Sequence, residues 1–440
     1  MTGEAVPAQD GAVAPPPDHS RRTIAFVCVI CGLAWIMSVY DFTLFGTLLP
    51  AIAADFGWSS AEAATVNTIC QVGIFLVSLV PGPLIDRLGR KRALIILMIG
   101  GTLVSGLTGL AMGALSLIVI RSLSGLSLAE EVVNAVYLSE MLEKIRRRGL
   151  IYSLVQSGWP IGALLGAGVC AVTLPLVGWR WSFGVAALAT LIIIPFALRL
   201  PESRRAQAAP AEAPKEKRRL TAELRILFAP HLRRHTLAMC GAWLFNWFGN
   251  QVLTVLGTTV LIEAKGIPLE RSLVILVVSN VAAFVGYVVH GWLGDRFGRR
   301  NTIVRSWAIG AVLSVVLLLG PANEPFVFVA YSLFLFFQLG PYAALLFYMG
   351  ESFPEEARGS GANLAHALAP VGSIFGSGIL AAMLAFGVSM SWSAIVAGSI
   401  FLAVSAVCMR FGADDRELRR QRTAAAPADR SLRSSGKELR

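Results

Sequence analysis

Twelve apolar runs of about twenty residues each decide what this chain can become. They lie at about 24–48, 62–84, 93–112, 116–139, 150–173, 180–199, 236–261, 271–292, 302–320, 325–348, 360–386 and 390–410. About twenty apolar residues in a helix cross the hydrocarbon core of a bilayer, and a helix satisfies its own backbone groups there. The expectation is an all-α membrane protein of twelve transmembrane helices. Only 15% of the 440 residues are charged, against about a quarter in soluble domains, so a water-soluble globule is excluded.

Where the basic residues fall sets the orientation. With both termini on one side, 34 Lys and Arg lie on that side. Three (Arg180, Lys265 and Arg271) lie on the other, and Arg121 lies within a span. Basic loops stay cytoplasmic, so both termini are expected inside, and the net charge of +11 signals topology rather than a nucleic-acid partner. Residues 1–21 and 412–440 read as tails and 200–234, rich in Pro, Ala, Lys and Arg, as a cytoplasmic linker. That leaves a six-helix half at 22–199 and another at 235–411. The first run follows Arg21-Arg22 without a cleavable-leader pattern and is expected to be retained. Six cysteines sit inside apolar runs. The Cys28/Cys31 pair has neither a second pair nor a His nearby and reads as helix packing rather than a metal site.

One short stretch occurs twice. Residues 82–92 read GPLIDRLGRKR and residues 291–301 read GWLGDRFGRRN, a shared G-x-x-x-D-R-x-G-R-[KR] in two corresponding places. Gly82 and Gly291 would permit close helix contact. Gly89 and Gly298 would permit a tight turn. Asp86 and Asp295 would bond a helix N-terminus or an Arg, within a basic cluster of Arg87, Arg90, Arg296 and Arg299. These residues resemble the loop signature of the major facilitator superfamily, found between helices 2 and 3 and helices 8 and 9, and the resemblance runs from about 22 to 411. The Leu200-Pro201-Glu202-Ser203-Arg204 stretch and Glu351-x-x-Pro354-x-x-x-Arg358-Gly359 resemble further signatures of that family. The resemblance implies two pseudo-symmetric halves with the substrate path between them, alternating access, and no enzymatic activity.

Charges inside spans are costly and tend to be functional. They are Asp41 in helix 1 and Arg121, Glu130 and Glu131 in helix 4. The segment around Tyr40-Asp41 resembles the D-x-[FY]-D-x-x element of aromatic-acid and carboxylate proton symporters, with Ser38 where the first Asp is expected. The helix 4 segment is similar to the family's R-x-x-x-G-x-G-x-G-G element. Glu131 falls where metabolite symporters carry an acid, Asn134 follows the aromatic-acid branch, and Glu130 replaces a Gly. Proton coupling or substrate contact is expected of these five. On an α-helix rising 1.5 Å per residue, Asp41 and Arg121 lie roughly 7–8 Å and roughly 10 Å outward of their helix midpoints. Either they pair with each other or substrate, or they face different helices. Trp243, Asn246, Trp247, Asn250, Gln251, Tyr342, Tyr40 and Tyr137 are candidates for a cavity suited to a flat organic solute, though aromatics at helical spacing also serve plain packing. Gln71 and Gln156 are further candidates.

No G-x-x-x-x-G-K-[ST] loop is present, which leaves ATP-driven transport and enzymology without a site; no cofactor is expected. The G-P-x-x-G-G element of efflux antiporters is missing from helix 5, where the chain reads Gly158-Trp159-Pro160-Ile161-Gly162. Taken with the resemblance, the expectation is proton-coupled uptake of a small organic solute, a carboxylate or aromatic acid, by a monomer in the bacterial inner membrane. Its partners would be substrate, protons and lipid. Efflux of drug-like compounds, uptake of a vitamin or metabolite, and a non-transporting membrane sensor remain as alternatives.

Overall fold

A computed structural model describes residues 20–79, 88–142, 145, 151, 154–155, 157–202, 225–354 and 358–414. Among these residues the chain is helical throughout, with no strand. The helices are α1 (Arg21–Phe56), α2 (Ser60–Ser78), α3 (Arg90–Thr108), α4 (Ala114–Ser122), α5 (Gly125–Met141) and α6 (Gly158–Ala197). Then come α7 (Arg233–Asn250), α8 (Gly257–Lys265), α9 (Leu269–Phe297), α10 (Arg299–Leu319), α11 (Glu324–Leu339) and α12 (Tyr342–Ser352). The last four are α13 (Arg358–His366), α14 (Ala369–Ala385), α15 (Met390–Ala394) and α16 (Ile400–Arg410). Among the described residues, nine stretches are long and apolar enough to cross a membrane.

The mapping onto the expected spans is informative where it departs. The fifth and sixth runs are two helices that meet within α6 at Gly178, whose φ of 78° is open to glycine but strained for other residues; the Thr173 and Ser182 hydroxyls on either side of it lie 2.6 Å apart, so the chain folds back there. The fourth run is cut at Leu123–Ser124 into α4 and α5. The seventh passes through a π-turn at Gln251–Val255, and the twelfth through another at Ile395–Ser399. π-turns inside helices often mark functional places. Here the two lie against each other, with Gly398 facing Leu253 and Val252.

Helix ends carry the chemistry expected of them. Ser20 accepts from Thr23 N at 3.1 Å to cap α1, and Gly57 closes it in the left-handed region. Ser59 and Glu62 form a reciprocal capping box on α2. The turns on this end of the bundle are short: 57–59, 109–113, 266–268, 320–323 and 386–389.

Packing follows membrane rules, in which small residues let backbones approach. α1 packs along α6 with Gly162 against Ile36 O, 2.6 Å from where a Cβ would stand. α2 lies along α14, and α6 along α9. Leu103, Leu176, Leu188, Ile192, Val288 and Val312 are exposed, the outward apolar surface of a lipid-facing bundle.

The repeated stretch divides. Gly82, Asp86 and Arg87 lie outside the described residues. Gly89 and Gly298 have φ of 83° and 95°, the conformation anticipated for them. Gly291 corrects its expectation: a Cβ there would meet Ala343 Cβ at an ordinary 3.8 Å. The close approaches fall one turn to either side, at Gly286 (Phe336 O, 2.7 Å) and Gly294 (Ala344 Cβ, 3.1 Å). Asp295 pairs with Arg299 at 3.0 Å. Arg296 lies over the Trp292 and Phe297 rings. Arg90 pairs with Glu140 at 3.0 Å, while Glu202 accepts from the backbone N–H of Arg90 and Lys91 at the start of α3.

Candidate functional site

A cavity of about 230 Å³ opens in the middle of the bundle. Its walls come from α1, α2, α5, α6, α7, α9, α11, α12, α13 and α14. The α1 contribution is a helical stripe: Trp35, Ser38, Val39 and Phe42 at i, i+3, i+4 and i+7, with Asp41 at its edge. α7 gives a second stripe, Trp243, Trp247 and Asn250.

Aromatic rings meet around the space. Trp159 of α6 stands perpendicular to Trp247 of α7 with centroids 5.6 Å apart. Trp35 and Phe42 lie 6.1 and 6.0 Å from Trp159. On another side Trp243 contacts Tyr342 at 5.7 Å. Such walls suit a flat, largely apolar solute, with a few polar groups to fix its orientation. Several polar atoms on cavity residues have no hydrogen-bond partner among the described residues: Trp247 Nε1, Asn250 Oδ1, Ser124 Oγ and Ser373 Oγ. Buried polar atoms are nearly always satisfied, so these call for a ligand or water.

Two ion pairs reach the space through at least one member each. Asp41 and Arg121 meet, with Nη1 3.2 Å from Oδ2 and Nη2 donating to the Asp41 backbone oxygen at 3.4 Å. The sequence placed them at similar depth and left the pairing open; the packing supplies it. Arg121 is entirely buried, with its guanidinium between the faces of Phe45 and Phe183 at 5.1 and 5.6 Å. Two π-faces and a carboxylate together offset the cost of burying that charge. Asp41 borders the cavity and Arg121 stands behind it. The second pair is Glu131 of α5 with His366 of α13, Oε1 to Nε2 3.3 Å. Glu131 thus turns toward α13, and Arg121 takes Asp41 as its partner.

The other candidates separate by helical phase. Glu130, one residue and about 100° from Glu131, leaves the cavity and accepts from Ser38 Oγ at 3.1 Å. Asn134 donates to Cys31 O at 2.7 Å between α5 and α1, away from the cavity. Tyr40 packs on Gly166 of α6, and Tyr137 donates to Pro201 O; neither lines the space. Asn246 lies one layer back, accepting from Tyr342 Oη at 2.6 Å and Gln338 Nε2 at 3.1 Å. Gln251 is buried at the π-turn, outside the cavity wall. Gln71 does line it, and Gln156 lies outside the described residues. Trp35, Trp159, Tyr287 and His366 were not singled out from sequence as site residues. The stripe Trp35-Ser38-Val39-Phe42 beside Asp41 was the available signal for the first.

One end of the cavity is sealed by α1 against the seventh span. Gly46 takes Val255 against its backbone, and Thr258 Oγ1 donates to Thr47 O at 2.8 Å. A helical bundle of this build, with a central cavity bordered by buried charges, is that of a secondary transporter. The sequence profile of the Major Facilitator Superfamily matches residues 31–340 and 272–439, and the chain belongs to that family. It is a membrane transporter, not an enzyme. It is 28% identical to a gallate transporter of Pseudomonas putida over 391 residues, covering 83% of this chain and 86% of that one. To a putative niacin/nicotinamide transporter of Bacillus subtilis it is 24% identical, covering 86% and 93%. Among solved structures, a D-xylose-proton symporter superposes with a TM-score of 0.70 at 16% identity, covering 89% of this chain and 98% of that one, which speaks to fold alone.

Proposed function

We propose that this transporter couples inward proton movement to uptake of a small aromatic carboxylate by alternating access. The observation that carries the reading is the aromatic cavity, bordered by Asp41 with Arg121 paired behind it. The aromatic stripes set the shape of the solute. The cavity's volume of about 230 Å³ is below the usual range for ligand sites, roughly 300–1,000 Å³, and favours a single-ring compound over a drug-sized one. Relatives named as gallate and gentisate transporters support the same class.

In this reading residues 22–199 and 235–411 are two halves that rock about the cavity, joined through 200–234, in a monomer of the bacterial inner membrane with both termini cytoplasmic. In this reading the Thr258–Thr47 and Gly46–Val255 contacts close the outward path. A proton arriving on Asp41 weakens its hold on Arg121, which loosens α1 from α4 and links protonation to helix movement. The test is uptake of labelled benzoate, hydroxybenzoates and nicotinate into proteoliposomes. Accumulation above equilibrium is expected only under an imposed pH gradient. Equal uptake with and without the gradient sinks the coupling, and no uptake of any acid sinks the substrate class.

A further inference from the structure

We propose that His366 is the cation that receives the substrate carboxylate, and that Glu131 holds its place until the substrate arrives. The inference rests on the carboxylate reading above and assigns the contact within it. Arg121 is the deep cation visible in the sequence, but its guanidinium is spent: Asp41 holds it, Phe45 and Phe183 cover it, and its side chain is 1% exposed. It does not border the cavity. Of the described residues that do, His366 alone can carry positive charge.

His366 is the last residue of α13, and its ring stands 4.9 Å from Trp243, at the edge of the aromatic wall. Its side chain is 34% exposed, against 13% for Glu131, so it remains reachable while paired. Glu131 presents a carboxylate oxygen 3.3 Å from Nε2, a separation suited to the carboxylate of an incoming acid. The protein's own acid thus imitates the ligand. Tyr287 of α9, Tyr342 of α12 and Asp41 of α1 also border the cavity, two phenols and one acid.

The exchange needs no covalent step. One proton settles on a Glu131 oxygen, the Glu131–His366 attraction falls away, and the His366 N–H bonds a substrate oxygen in its place. Proton and anion then bind with positive linkage, each raising the affinity for the other. Glu131 and His366 stand on the fourth and eleventh spans, so the exchange also releases a tie that crosses the cavity.

Binding to purified protein in nanodiscs, followed by tryptophan fluorescence, separates the outcomes. The probes are benzoate and nicotinate with their neutral amides, benzamide and nicotinamide. Wild type should prefer the acids, more so at about pH 6 than at about pH 8. His366→Gln should weaken acid binding on the order of 10-fold or more, the scale of a lost charged hydrogen bond, while sparing the amides. His366→Lys should restore the acid preference, and Glu131→Gln should tighten acid binding and flatten its pH dependence. Unchanged acid binding in His366→Gln, equal loss of acids and amides, or no tightening in Glu131→Gln overturns the assignment. If wild type binds none of the acids, the carboxylate reading itself fails, which is a different result.

Discussion

The Asp41–Arg121 pair sets up a double-mutant cycle whose size follows from the geometry. At 3.2 Å and an effective dielectric of about 20, the charges attract by about 5 kcal/mol. Asp41→Asn keeps the shape but removes the charge. Arg121 then retains the Asp41 backbone oxygen at 3.4 Å and the faces of Phe45 and Phe183, each face contributing roughly 1–2 kcal/mol. Those contacts persist, so the net destabilisation should be about 2–4 kcal/mol, near the range for breaking a buried pair. Arg121→Met should cost less, because Asp41 borders the cavity and can take a proton from it. The double variant should be about 2–3 kcal/mol more stable than the sum of the singles predicts. Denaturant unfolding in mild detergent, followed by tryptophan fluorescence, measures all four corners. Additivity within about 0.5 kcal/mol would refute the view that the two charges are one unit.

Three further outcomes follow from other contacts. Glu131→Gln should abolish gradient-driven accumulation while counterflow exchange at equal pH survives; loss of both would assign Glu131 a structural role. Gly46→Leu drives a side chain into Val255 and should block closure of the sealed end, so transport should stop while a cysteine introduced near Thr258 becomes reactive; normal transport refutes the seal. Asp295→Asn should change stability by less than about 1 kcal/mol, because Asp295 is 70% exposed in its pair with Arg299; a large transport defect with intact folding would point to a gating role for the loop.

Hydrophobic length carried much of the fold. Runs such as 302–320 and 390–410 became helices within a few residues of their expected ends. Interruptions were invisible because their causes are tertiary. Nothing in Leu123-Ser124 announces a break, and the π-turn at Gln251–Val255 makes sense only against its partner at Ile395–Ser399. For the site, depth along a helix was legible and azimuth was not. Depth matched Asp41 to Arg121. Azimuth separates Glu131 from Glu130, and Trp247 from Asn246, and it depends on which neighbour each helix face meets. His366 as the partner of Glu131 required knowing that the fourth and eleventh spans face each other across the cavity, which spacing along a chain does not encode.

The brevity of the turns at 57–59, 109–113, 266–268, 320–323 and 386–389 shapes how this protein meets anything outside the membrane. At three to five residues each, they offer a protease too little slack to enter its cleft and an antibody too little relief to grip. Cleavage and macromolecular recognition are therefore expected at the opposite face, where the described residues 198–202, 225–232 and 411–414 lie. Sealed vesicles of the two orientations should differ accordingly, the intact band surviving protease added to one face and disappearing when it is added to the other.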